Sequence, residues 1–239
     1  MKLTYAALTN VGRKRTQNQD RYLVQPEDHF FVVCDGMGGH FGGEIAAQTA
    51  VDTLSSFFAE TRGQDDITWP YKGNRKLPEF ENRLAVAVKW ANFKVFEKSQ
   101  TDAKIKGMGT TCVGIVIDGE QCAIGHVGDS RCYRVRNGTI EQMTEDHSLL
   151  NDYKKVAKLS PEEIKNFPHK NIIVRALGMK EHVQVDTHIE ALQPGDLYLL
   201  CCDGLSGEVE DPDIQRIVNE NRGNLDKTCA ALVAQALEH

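Results

Sequence analysis

The chain is short of several things that would place it quickly. Its seven cysteines include no C-x-x-C pair, so neither a zinc ribbon nor a dithiol redox motif is written into it. Most of them (Cys34, Cys112, Cys122, Cys132, Cys201, Cys202) lie inside apolar runs, where a free thiol behaves as a small hydrophobe, so reduced thiols and no zinc are the expectation. No apolar run reaches the length of a membrane span, and M-K-L-T-Y-A-A-L-T-N lacks the sustained hydrophobic segment of a signal peptide. These absences predict a soluble, cytoplasmic protein without a membrane partner. There is no long Lys/Arg block, and the formal charge is -6, which argues against a nucleic-acid footprint. Internal repeats and low-complexity tracts are missing too. What remains, 239 residues at 41% hydrophobic and 26% charged, suits one core and a single domain over residues 1–239.

Four aspartates stand out because each sits where a strand-like run gives out: Asp20 in T-Q-N-Q-D, Asp35 in F-F-V-V-C-D-G-M-G-G-H, Asp129 in G-H-V-G-D-S-R and Asp203 in L-Y-L-L-C-C-D-G-L. Such runs end at one edge of a sheet. Converging carboxylates beside buried strands repel one another and are expensive to desolvate unless cations stand between them. The pattern therefore predicts a divalent-metal cluster. Gly36 and Gly204 follow two of these aspartates, allowing a sharp turn and leaving a backbone carbonyl free as a further oxygen ligand. Taken singly, an Asp-Gly pair is more often an ordinary turn; the argument rests on the joint occurrence.

Strands are predicted over 3–9, 21–25, 29–34, 110–117, 120–127, 131–136, 139–143, 183–190 and 197–202. Asp118-Gly119 and Asn137-Gly138 read as two-residue hairpin turns, which makes the central meander antiparallel. Ala47, Ala50, Val51, Leu54, Phe57 and Phe58 recur at helical spacing, as do Leu84, Val88, Ala91 and Val95. Residues 213–219 and 227–237 are predicted as two further helices. The polar stretch 149–171 is expected as a mobile, flap-like surface insertion, with Ser160 capping a helix that begins S-P-E-E.

Seven segments carry a more specific message: R-T-Q-N-Q-D (15–20), D-G-M-G-G-H (35–40), G-M-G-T-T (107–111), G-D-S-R (128–131), T-E-D-H-S-L (144–149), R-A-L-G (175–178) and C-D-G-L (202–205). In this order they resemble the metal-dependent protein phosphatase 2C family, in its bacterial form. The resemblance implies an α+β four-layer sandwich, two antiparallel sheets packed face to face and flanked by helices. It also implies a centre holding two Mn2+ or Mg2+ ions with a weaker third.

Carried over by motif, Asp20, Asp35 and Asp203 would be carboxylate ligands, Gly36 a carbonyl ligand and Asp129 a ligand of the third ion. Arg15 would hold the phosphoryl oxygens. Hard oxygen donors suit these cations, and two ions roughly 4 Å apart lower the pKa of water between them. The implied reaction is hydrolysis of phosphoserine and phosphothreonine in proteins by a metal-activated water. The enzyme would act as a monomer, in signalling, opposite a serine/threonine kinase. His40, His126 and His147 are left outside the metal set, and Thr110, Thr111 and Ser130 are assigned to turn and strand hydrogen bonds.

Two departures from the family pattern matter. Met37 stands where some relatives have a histidine, and the chain stops at Leu237-Glu238-His239, where many continue into G-G-x-D-N and a closing strand. An alternative reading follows, a non-catalytic phosphoprotein-binding or regulatory module of the same fold with an incomplete metal centre.

Overall fold

The fold is described from a computed structural model over residues 2–39, 41–64, 68–157, 159–165, 167–168 and 172–238. The strands are β1 (Asp20–Gln25), β2 (Phe30–Met37), β3 (Gly109–Thr110), β4 (Cys112–Asp118), β5 (Gln121–Val127), β6 (Arg131–Arg136), β7 (Thr139–Gln142), β8 (Asp186–Ala191) and β9 (Leu197–Cys201). The helices are α1 (Gly42–Glu60), α2 (Glu79–Ser99), α3 (Leu149–Val156), α4 (Pro161–Lys165), α5 (Asp203–Ser206), α6 (Asp211–Asn221) and α7 (Leu225–Glu238).

One antiparallel sheet runs β1-β2-β4-β5-β8, with β3 paired to β2, and a second runs β7-β6-β9. The dense apolar text of β2 and β4 is explained by this order, since both strands are paired on either side and covered on both faces. Val113, Ile115, Ile124 and Cys132 fill the space between the sheets together with Phe31, Val33 and Leu200. The helical stripes cover the outer faces. Ala47, Leu54, Phe58, Leu84 and Val88 from α1 and α2 close over the first sheet, with the Phe30 and Phe58 rings stacked 3.9 Å apart. Ile214, Val218 and Leu232 from α6 and α7 close over the second against Tyr133 and Val135. Four layers result, as expected.

Three expectations need correction. Residues 3–9 form no strand; Tyr5 rests its ring 5.7 Å from Phe31, and Leu8 is largely exposed. Apolar alternation selects a face, but a strand also needs a ladder partner, and among the described residues this run pairs with none. The first hairpin pairs Asp118 with Gln121, so its two-residue turn is Gly119-Glu120, Gly119 taking φ +58°. The second turn falls on Asn137-Gly138, both at positive φ. Finally, β8 begins at Asp186, opposite His126 near the end of β5; upstream of it Val183 and Val185 pack on the core unpaired.

Within the insertion, α3 has no buried residue, and α4 opens on a reciprocal cap. Glu163 N–H donates to Ser160 Oγ at 3.3 Å, and Ser160 N–H donates to Glu163 Oε2 at 2.7 Å. Lys158, Asn166 and 169–171 lie outside the described residues. Among the described residues, no helix is long and apolar enough to cross a membrane.

Candidate metal centre

The antiparallel register sets Asp20, first residue of β1, directly opposite Asp35 near the end of β2. Residues directly opposite in such a pair share a face, so two carboxylates are aimed into one space by backbone pairing alone. Asp203 arrives from the other sheet. Strand β9 ends at Cys201, and the chain turns into α5 with Asp203 as its first residue, close enough for its carboxyl to hydrogen-bond that of Asp35. Three of the four singled-out aspartates therefore meet at one rim of the sandwich.

Asp35 is pinned by its backbone. Its N–H donates to Thr111 Oγ at 2.9 Å, while its carbonyl accepts from Thr111 N–H at 2.8 Å and Thr110 Oγ at 2.9 Å. Thr111 Oγ shares a 2.7 Å hydrogen bond with Ser130 Oγ. The two threonines and Ser130 thus hold the central carboxylate in place, which is why G-T-T and G-D-S-R accompany D-G in the sequence. Gly36 is required by close approach. A Cβ there would stand 2.0 Å from the Gly43 carbonyl oxygen, and one on Gly43 would stand 2.6 Å from the Gly36 oxygen.

Asp129 lies in the turn between β5 and β6, after Gly128 at φ +113°. Its carboxyl feels the charge of Asp203 and also that of Asp146, whose carboxylate is gripped by Arg131 at 2.7 Å. Asp146 was not singled out in the sequence, although it sits within T-E-D-H-S-L. Arg15 is exposed in the loop before β1, with its charge acting on Asp20. Arg15, the four aspartates and Gly36 line one open cleft of about 1230 Å³.

His126 and His147 stack with their ring centroids 4.6 Å apart. His147 Nδ1 accepts from Gly128 N–H at 3.0 Å and its Nε2 lies 2.9 Å from Asp186, which also pairs with Arg175. This cluster ties T-E-D-H-S-L and R-A-L-G to the turn carrying Asp129. His40 lies outside the described residues. Cys202 departs from the expectation of a thiol packed as a hydrophobe. Its S–H donates to Asp20 Oδ2 at 3.3 Å, because Cys202 lies just past the end of β9, where the chain turns into α5 and the side chain points to the rim.

The electrostatics fit a cation site. Burial raises the Asp35 carboxyl to about 9, with the charges of Asp20 and Asp203 adding to the shift. Burial likewise raises Asp20, and lifts Asp129 to about 6 with Asp203 and Asp146 contributing. A carboxyl still protonated at neutral pH, wedged between two others, is a position that a divalent ion takes by displacing the proton. The carboxylates offer oxygen donors only, the set preferred by Mg2+ and Mn2+.

A pH dependence of stability follows. A carboxyl whose folded pKa is raised binds its proton more tightly in the native state, so its contribution is complete below the unfolded value and is lost as pH rises through the folded one. From about pH 7 to 8 the buried histidines, His126 lowered to about 4 and His147 also lowered, are neutral in the folded state and mostly neutral in the unfolded one, so their opposing contribution is smaller than that of Asp35. With metal chelated, stability is expected to fall over this interval by about 1 kcal/mol per pH unit, and excess Mn2+ is expected to reduce the slope, the buried thiols Cys122, Cys132 and Cys201 keeping their smaller share of it. Urea unfolding at several pH values, with and without chelator, measures it; a metal-free stability that rises over this interval contradicts it.

A face-to-face sandwich with a convergent acidic rim beside an arginine defines a divalent-metal centre suited to phosphoryl chemistry. The chain belongs to the protein phosphatase 2C family, whose pattern matches residues 11–237. It is 35% identical over 222 residues to the serine/threonine phosphatase stp of Listeria welshimeri, covering 92% of this chain and 84% of that protein. The structure is similar to that of the Mycobacterium tuberculosis serine/threonine phosphatase PstP/Ppp (TM-score 0.84, 28% identity, 98% of this chain and 92% of that one). It is also similar to a PstP catalytic domain in complex with two manganese ions (TM-score 0.82, 28% identity, 98% and 91% covered).

Proposed function

We propose that this chain is a protein serine/threonine phosphatase that depends on Mn2+ or Mg2+ and hydrolyses phosphoserine and phosphothreonine at the Asp20–Asp35–Asp203 rim. The observation that carries this reading is the meeting of three carboxylates from β1, β2 and the β9–α5 junction, in a member of this family. Asp20, Asp35 and Asp203 are the carboxylate ligands, Gly36 adds its carbonyl, and Asp129 serves a weaker third ion. When bound, the ion pair supplies Lewis acidity and lowers the pKa of attacking water. The chain's own residues do the rest. Asp35, fixed by Thr110 and Thr111, sets the position of the attack. Arg15, exposed at the surface where an incoming phosphoryl group arrives, orients it with a two-pronged hydrogen bond. Met37 offers no proton, so the leaving alcohol takes one from solvent in the open cleft.

The phosphorylated protein lies across this cleft, with residues 149–171 as a flap that influences which sequences are accepted. The setting is bacterial cytoplasmic signalling opposite a serine/threonine kinase, and the chain works as a monomer and a single domain. Manganese-dependent release of phosphate from a phosphothreonine peptide tests the reading; release unaffected by chelator counts against it. Arg15→Lys is expected to lower kcat/KM by about 10- to 100-fold with Mn2+ affinity unchanged, because a lysine cannot grip two oxygens at fixed geometry. Steady-state kinetics together with Mn2+ calorimetry check it, and an unaltered kcat/KM removes Arg15 from the site.

A further inference from the structure

The rim is not made of oxygen alone. Cys202 Sγ lies 3.3 Å from Asp20 Oδ2, and donor atoms of Asp20, Asp35 and Cys202 all fall within 4.8 Å of one another. From the geometry we infer that Cys202 is a sulfur ligand of this centre, giving it a second class of ion, thiophilic divalent metals of the zinc and cadmium kind. The inference rests on the divalent centre proposed above, which the family and the two-manganese relative support independently of any cysteine.

Ordinary bond lengths make the distance productive. With metal–sulfur near 2.3 Å and metal–oxygen near 2.1 Å, atoms 3.3 Å apart subtend an angle of about 100° at a shared ion. That lies between the tetrahedral and octahedral values, so one ion can take both donors without rearrangement. On binding, the S–H bond breaks, a metal–sulfur bond forms and the proton leaves to solvent. Mg2+ and Mn2+ gain little from sulfur, whereas zinc and cadmium gain strongly, so the thiol changes which metals the rim retains more than whether it holds one. The other thiols are placed differently. Cys34 and Cys112, Cys201, and Cys122 and Cys132 belong to the three apolar cores, and Cys229 sits on α7.

The probe is Cd2+ alone, added to the full chain after chelation and followed by the ultraviolet sulfur-to-cadmium charge-transfer band. The native protein and Cys229→Ser are expected to show a saturable band that is absent from Cys202→Ser. Cadmium affinity should fall about tenfold or more in that variant, while Mn2+ affinity changes by less than about threefold. An equal band in Cys202→Ser, or equal cadmium affinity in both proteins, overturns the proposal. Serine keeps the hydrogen-bond donor to Asp20 and nearly the same size. Should the variant nonetheless not fold, the 113Cd resonance of the native chain decides, a one-sulfur shift supporting the ligand and an all-oxygen shift overturning it. Failure of the native chain to bind Mn2+ at all takes down the centre itself. Mn2+ binding without a sulfur signal takes down only Cys202.

Discussion

Replacing Asp35 by Asn is expected to reduce Mn2+-dependent phosphate release from a phosphothreonine peptide by about 10³-fold or more, equivalent to roughly 4 kcal/mol of transition-state stabilisation. Asp35 sits between Asp20 and Asp203, so its loss removes the one carboxylate that both neighbours share. The substitution keeps the shape of the side chain, and the backbone bonds from Thr110 and Thr111 do not depend on its charge. The same variant is expected to unfold at the same or a higher temperature than the native chain in chelator at about pH 8, because it removes a buried group that resists ionisation. Activity and stability thus move in opposite directions, which separates a functional loss from a folding defect. Retained activity, or a fall in both quantities together, contradicts the assignment.

The second large effect is structural. Gly36→Ala would place a methyl group 2.0 Å from the Gly43 carbonyl oxygen and 2.7 Å from that of Gln19, all backbone atoms with little freedom to retreat. Relief requires the first turn of α1 to move off β2. Helix α1 carries Ala46, Ala47, Ala50, Leu54 and Phe58 into the larger core, so the displacement spreads through it. Destabilisation of about 3 kcal/mol or more is expected, a fall of roughly 10 °C in the melting temperature of a chain this size. Differential scanning calorimetry in chelator isolates this from metal binding. A melting temperature within about 2 °C of the native value would show that the contact yields easily.

Much of this was legible in the sequence, and the reasons differ from element to element. The stripes on α1 and α2 are read easily because one face of each meets a sheet and the other meets water. Asn137-Gly138 announces its turn because both residues tolerate positive φ. The aspartates were identifiable because strand ends and glycines mark a sheet edge, yet their meeting depends on the Asp20–Asp35 register and on the junction of β9 with α5, which no local pattern encodes. Residues 3–9 misled because their alternation is real while the partner strand is not supplied nearby. Cys202 was misread for a related reason. It continues the apolar run of β9, but the chain turns after Cys201, and the next side chain points to the acidic rim. Asp146 escaped notice because its influence on Asp129 acts through space and has no signature in spacing.

The central claim is that Asp20, Asp35 and Asp203 share divalent cations. Crystals of the 239-residue chain soaked in Mn2+, with diffraction recorded on either side of the manganese absorption edge, test it most directly. The expected result is anomalous density bounded by those three carboxylates, absent from Asp35→Asn crystals treated alike. Manganese found only elsewhere on the surface, with the three carboxylates left in contact with one another, would contradict the account.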